Sequence, residues 1–185
     1  MDKKLTKYIE SYEIIKDEKV YKLKPNGGMI VIINHETSSE IIIENKSYIL
    51  GNSHLVLLNS YTKYISIKSS KNLNLTAVRF KGAGASFFFE EEMEKLMHNP
   101  NEPIFLEENL KNLELDEYFL NRFKPSTLPF NIMKIIDLLD AQGSNYNIDE
   151  VLAIVNVPRK ILDKMFRLKA GLTFKTYASI KELYR

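Results

Sequence analysis

Five residues near the C-terminus, Arg159, Lys160, Asp163, Lys164 and Arg167, have types and spacing suited to meeting a polyanion. At about 100° per residue they share one continuous arc of a helix, while Ile161, Leu162, Met165, Phe166 and Leu168 fill the opposite arc. One side of such a helix docks and the other is offered. Four cations and one carboxylate on a rigid backbone suit a polyanion, since several Lys and Arg can meet phosphates and release condensed counterions. In that geometry Lys160, Asp163, Lys164 and Arg167 face the major groove, and Arg159, near the helix N-terminus, meets phosphate.

The neighbouring elements must hold that face out. Asn147 and Glu150 have the spacing of a capping box, and Val151, Leu152, Ile154 and Val155 supply an apolar stripe up to a break at Asn156-Val157-Pro158. Asn tolerates the left-handed conformation and Pro fits a helix's first turn, so the break has a mechanism. Two short helices joined this way make a helix-turn-helix, whose second helix can enter the major groove. Upstream, Ile132, Ile135, Ile136 and Leu139 repeat at i, i+3, i+4 and i+7, a helix able to cover the apolar side, closed by Gln142-Gly143-Ser144.

The run Ile148 to Ala153, then Pro158 to Phe166, then Gly171-Leu172-Thr173-Phe174-Lys175-Thr176-Tyr177 resembles the first helix-turn-helix of AraC-family transcription regulators. Leu162, Lys164, Phe166, Gly171, Thr173 and Tyr177 match its pattern. Departures are Leu152 for a small residue, Asn156 for the turn Gly, Pro158 for the capping Ser, Phe174 for Pro, and Asp163 at a base-reading position. The family's module has two such units joined by a long helix, and this sequence stops at Arg185, inside that connecting helix. Either the sequence is a piece of a longer chain or the natural protein carries only half the module, and both readings lower the DNA affinity expected of this chain by itself.

From about Glu10 to Phe80, short β-branched and aromatic runs alternate with turn residues: Lys19–Leu23, Pro25-Asn26-Gly27-Gly28, Met29–Ile33, Glu40–Glu44, Ser47–Leu50, His54–Leu58, Tyr64–Lys68 and Leu73–Phe80. Strands at this density indicate an antiparallel sandwich or small barrel. The stretch from Pro25 to Asn34, and Ala77-Val78-Arg79-Phe80-Lys81-Gly82-Ala83-Gly84-Ala85, resembles the cupin-like sensing domain N-terminal to some AraC-type regulators, though Gly82 replaces a usual Pro. Ser86 to His98 reads as a helix with Glu90-Glu91-Glu92 near its N-terminal end, and Leu106 to Phe123 as one or two more. Lys124-Pro125-Ser126-Thr127-Leu128-Pro129 interrupts both periodicities and is the best domain boundary.

Charge places the polyanion-facing character at the C-terminus. Residues 151–185 hold 8 Lys/Arg against 2 Asp/Glu, a balance of +6, while 1–150 hold 18 against 22, a balance of −4. With 44% apolar and 27% charged residues the composition is that of a soluble globular protein, and no apolar run reaches membrane-spanning length. The absence of Cys removes disulfides, thiolate metal sites and a cysteine nucleophile, and is compatible with the cytoplasm. His35, Glu36 and Glu40 have atoms that bind metals, but a polar loop between strands explains them better, because cupin metal sites use several histidines and only His35, His54 and His98 exist. Phe87-Phe88-Phe89 reads as core packing rather than pocket lining. Arg79 remains open between a buried partner for a carboxylate ligand and an exposed cross-strand neighbour.

The expectation is an α+β chain: residues 1–124 a cupin-like, β-rich sensing or dimerisation domain with its following helices, and 125–185 a helical helix-turn-helix region. No cofactor, bound metal or enzymatic activity is expected. The resemblance implies double-stranded DNA, a small-molecule effector and a homodimer as partners, in the cytoplasm. The alternative is a sensing or interaction module that dimerises with full-length regulators without binding DNA itself. A metal-dependent cupin enzyme is the third reading.

Overall fold

The computed structural model describes the chain except residues 36–37, 53, 107–109, 111–113, 126–131, 143–147 and 185. Two antiparallel sheets stack as a sandwich. The first runs β1 (Ile9–Lys16), β8 (Asn74–Phe80), β3 (Ile30–Asn34), β6 (Leu55–Leu58), β9 (Ile104–Leu106), and the second β2 (Val20–Leu23), β7 (Ile65–Lys68), β4 (Ser39–Ile43), β5 (Lys46–Leu50).

Side chains alternate across a strand, so a sheet covered on one face reads as alternating apolar and polar positions. In β4, Ile41 and Ile43 are buried in the sandwich interior while Glu40 and Ile42 are half-buried. In β3 and β6 both faces are covered. Ile30, Ile32, Val56 and Leu58 pack between the sheets, whereas Val31, Ile33, Leu55 and Leu57 meet helices on the other side. Double burial is why these stretches read as unbroken apolar runs.

The strands expected from sequence are present, within a residue or so at each end. Two further strands carry no clear sequence signal. β1 pairs with β8 along the sheet edge, and β9, ending at Leu106, pairs with β6 where a helix is expected to begin. Of the expected Leu106–Phe123 helices, the described residues contain α2 (Leu115–Arg122). The expected Ser86–His98 helix is also divided, into a 3-10 turn at Gly84–Phe87 and α1 (Glu90–His98). Successive residues on an α-helix point about 100° apart, so a continuous helix could not drive Phe87, Phe88 and Phe89 into one core. The break does so: all three are buried, and the Phe88 ring sits 5.6 Å from Phe80 and 5.5 Å from Phe119.

Helices α3 (Ile132–Gln142), α4 (Ile148–Val155), α5 (Arg159–Ala170) and α6 (Phe174–Leu183) complete the chain. Ile132, Ile135, Ile136 and Leu139 of α3 are buried, as their spacing predicts. They belong to the same apolar cluster as Met29, Val31 and Phe80 of the first sheet and Leu162, Phe166 and Tyr177 of the last helices. Sandwich and helices are thus joined through one core. Asn147, expected from sequence to cap α4, Gly143-Ser144 and residues 126–129 of the expected boundary lie outside the described residues.

Candidate nucleic-acid interface and the groove beside it

Four local signals fix the end of α4, the two ends of α5 and the start of α6. Asn156 adopts the left-handed conformation, with φ +51°, and turns the chain out of α4. Pro158 stands at the N-cap of α5, its carbonyl accepting from Ile161 N at 2.9 Å and Leu162 N at 3.1 Å. Gly171, φ +72°, ends α5, and Thr173 Oγ1 accepts from Thr176 N at 3.0 Å to open α6.

The docked side of α5 is Leu162, Phe166, Lys169 and Ala170, packed on the Gly84–Phe87 turn and α1. Lys169 Nζ donates to Glu90 Oε1 at 3.0 Å, and Ser60 Oγ donates to the Ala170 carbonyl at 2.8 Å. The arc expected to dock is therefore rotated. Ile161, assigned to it from sequence, is 48% exposed, and Met165 and Leu168 are half-buried, because Lys169 and Ala170 occupy the contact instead. Ile154 is likewise exposed, lying beyond the arc that Val151, Leu152 and Val155 turn to the core.

Arg159, Lys160, Lys164 and Arg167 are exposed, and Asp163 is half-buried at the edge of the face. Among the described residues none of the four cations forms an ion pair. Two cations elsewhere in this half of the chain differ: Lys169 pairs with Glu90, and Lys181 with Asp140 at 3.4 Å, whereas Lys175 is exposed like the four.

Close contacts weld α5 and α6 to the sandwich. A Cβ on Gly171 would stand 1.9 Å from Asn59 Oδ1, so only glycine fits both that approach and its positive φ. Gly82, φ +41°, turns the chain beneath Ile136, where a Cβ would stand only 2.5 Å from that side chain. The ring of Tyr177 lies over Gly27, and its hydroxyl donates to Asp140 Oδ1 at 2.8 Å. Burial, with Asp140 beside it, pushes the Tyr177 phenol well above its ordinary pKa.

Beside this seam a groove of about 640 Å³ opens between β1, the end of β2 and α6. Arg79, 7% exposed, forms its floor, donating from Nε to Glu13 Oε1 at 2.5 Å and from Nη1 to the Lys24 carbonyl at 2.7 Å. Tyr21 Oη donates to the other Glu13 oxygen at 3.0 Å, and burial with that bond raises the Tyr21 pKa. Arg79 is thus a buried cross-strand partner of Glu13, the carboxylate coming from this chain itself. Lys24, with its ammonium 5.8 Å from the Tyr184 ring centroid, and Lys181 border the groove from its two sides, and Pro25, Ile180 and Tyr184 supply apolar wall.

Sequence reasoning singles out Arg79 but misses Lys24, Lys181 and Tyr184. The available signal is an Arg among Val78 and Phe80 on a strand, which needs a local anion. The other expected candidates do not converge. His35 Nε2 lies 2.7 Å from Thr76 Oγ1, Glu36 is outside the described residues, and Glu40 accepts from Ser47. His54 Nδ1 accepts from Gly51 N at 3.0 Å, and His98 Nδ1 lies 2.8 Å from the Glu94 carbonyl in the last turn of α1. Among the described residues no three His, Asp or Glu side chains are grouped to hold a metal, and no helix is long and apolar enough to cross a membrane.

No protein-family model and no curated protein match the sequence. Solved structures do. The chain is similar to unsaturated fatty acid-bound wild-type ToxT of Vibrio cholerae strain SCE256, with a TM-score of 0.56 at 12% identity over 94% of this chain and 78% of that one. ToxT of Vibrio cholerae in a 1.65 Å structure gives 0.53 at 14% identity, covering 92% and 79%. ToxT of strain O395 bound to (E)-4-(8-methylnaphthalen-1-yl)but-3-enoic acid gives 0.52 at 13%, covering 92% and 80%. ToxT is an AraC-family regulator with a cupin-like N-terminal domain, and the shared fold is that sandwich followed by helices.

Proposed function

We propose that this chain is an AraC-type transcription regulator that meets double-stranded DNA through the outward face of α5 and takes a small amphipathic carboxylate in the groove beside α6. Residues 1–124 would sense the ligand and mediate dimerisation, and 125–185 would carry the DNA-reading helix, acting in the cytoplasm. A homodimer would suit two half-sites spaced by a helical turn of DNA.

The observation that carries the reading is the division of α5. Its inward side is locked onto the Gly84–Phe87 turn and α1 by Leu162, Phe166 and the Lys169–Glu90 pair, while Arg159, Lys160, Lys164 and Arg167 stand exposed on its outward side. Holding cations on a rigid helix end removes part of the ordering cost of binding and leaves their charge for phosphates and base edges. The groove reading rests on Lys24 and Lys181 facing one space with apolar walls, and on two of the similar ToxT structures carrying carboxylate-bearing ligands.

Retention of the purified chain on mixed genomic DNA fragments at low and moderate salt tests the DNA reading. Retention that falls with salt, and falls further in the Lys164→Ala/Arg167→Ala variant, is expected. No retention at either salt would remove it and leave the sandwich as a sensing or protein-interaction module. For the groove, calorimetric titration with oleate is expected to show binding that weakens in Lys24→Ala and Lys181→Ala. Equal binding by both variants would place the ligand elsewhere.

A further inference from the structure

Ile161 occupies an odd place for an apolar side chain. It is the third residue of α5, 48% exposed, and it stands on the side directed away from the Leu162, Phe166, Lys169 and Ala170 contact. At 100° per residue it lies about 60° around the helix from Lys164, with Lys160 about 40° to the other side of that lysine. Leu168, half-buried, falls between Lys164 and Ile161 on the same projection, so the outward face is a cationic stripe with an apolar margin.

Single exposed apolar residues are ordinary on a protein surface. The setting here is more specific. The N-terminal residues of a recognition helix are the ones that reach base edges, and Ile161 sits in that turn, directly after Lys160 and one turn before Lys164. The major groove offers donors and acceptors from every base pair but only one apolar group, the C5-methyl of thymine. An Ile held beside Lys160 and Lys164 would recover its lost burial against that methyl and nowhere else in the groove.

Resting on the DNA-binding reading above, we infer that Ile161 is a specificity-determining residue that reads a thymine methyl, while Lys160 and Lys164 supply affinity and hydrogen bonds beside it. The half-buried Asp163 stands toward the opposite edge of the face, away from this contact.

The test uses duplexes that the full chain selects from a randomised library, remade with each thymine in turn replaced by uracil, which lacks only the methyl. At one position uracil is expected to weaken binding about four-fold, the ~0.8 kcal/mol of one buried methyl converted at 1.4 kcal/mol per tenfold. Ile161→Ala is expected to bind the thymine and uracil duplexes equally, and Ile161→Val to keep part of the discrimination. Lys164→Ala should weaken both duplexes alike and preserve their ratio. Salt-dependent binding with no uracil effect at any position, or full discrimination in Ile161→Ala, would overturn the assignment of Ile161 while leaving α5 as the DNA-binding helix. No DNA binding at any salt would remove both.

Discussion

Along α6 the helical layer meets the sandwich in two different ways. At Tyr177 the contact is closed: the ring lies so near Gly27 that a Cβ there would stand 2.8 Å from it, and the hydroxyl is held by Asp140. One and two turns further on, at Lys181 and Tyr184, the same helix borders about 640 Å³ of open groove lined by Lys24, Glu13 and Arg79. The closed end fixes where the helix sits, while the open end leaves space beside Lys181, which pairs with Asp140 at 3.4 Å, and Lys24, which stands 5.8 Å from the Tyr184 ring centroid. Only Gly171, Leu172 and Thr173 separate α6 from α5, so under the proposed reading a ligand that repositioned the open end would act on a helix directly joined to the one proposed to meet DNA.

The largest way to break this arrangement is to empty the closed side. Phe166→Ala removes a fully buried ring that packs 5.3 Å from Phe174 and 6.0 Å from Tyr177, and is expected to cost about 3–5 kcal/mol, read as a lower denaturant midpoint. Gly171→Ala comes next, at about 1–3 kcal/mol for the left-handed conformation plus displacement of Asn59. Adding Asn59→Ala should recover the displacement share and leave the backbone share, a coupling that a double-mutant cycle measures.

Tyr177→Phe is expected to cost about 1–2 kcal/mol, since it leaves Asp140 with one donor fewer while keeping the ring over Gly27. It also carries a pH signature. The phenol is raised above its ordinary 10.0 by burial first and Asp140 second, so the folded state holds this proton more tightly than the unfolded state. Stability from this group is complete below about pH 10 and is lost as pH rises beyond it. Tyr12 and Tyr61 are shifted the same way by burial, so Tyr177→Phe should reduce the alkaline loss rather than abolish it.

The smallest effect on stability, within about 0.5 kcal/mol, is expected for Lys24→Ala at the open end, where calorimetry should instead record weaker oleate binding. A Lys24→Ala protein that lost as much stability as Tyr177→Phe would mean that the groove is structural.

Much of the fold is written in short-range patterns. The runs of β3 and β6, the i, i+3, i+4 spacing of α3, and the Asn156, Gly171 and Thr173 punctuation each act through backbone conformation or a single face, so they survive in the bare sequence. β1 does not. Ile9 and Ile15 are buried in different clusters although six residues apart, because a register shift between Ile9 and Ser11 reverses the alternation, and Ile14 is left 70% exposed. β9 is three residues long and paired on one side only, too short to set a period.

The rotation of α5 is hidden for another reason. Lys169 reads as a solvent residue, but its pair with Glu90, 79 positions away, lets it join the docked face and turns Ile161 outward. The groove is less legible still. Lys24, Arg79 and Lys181 meet only after the sandwich closes and α6 docks on it, and nothing in their local spacing announces the encounter.

The central claim is that the outward face of α5 neutralises DNA phosphates, and the most direct test is the dependence of DNA affinity on salt for the wild-type chain and the Lys164→Ala/Arg167→Ala variant. A wild-type slope of log affinity against log salt that is steeper than the variant's by up to about 1.8, or 0.9 per lost phosphate contact, is the expected result. Identical slopes, or a wild-type chain that binds no DNA at low salt, would contradict it.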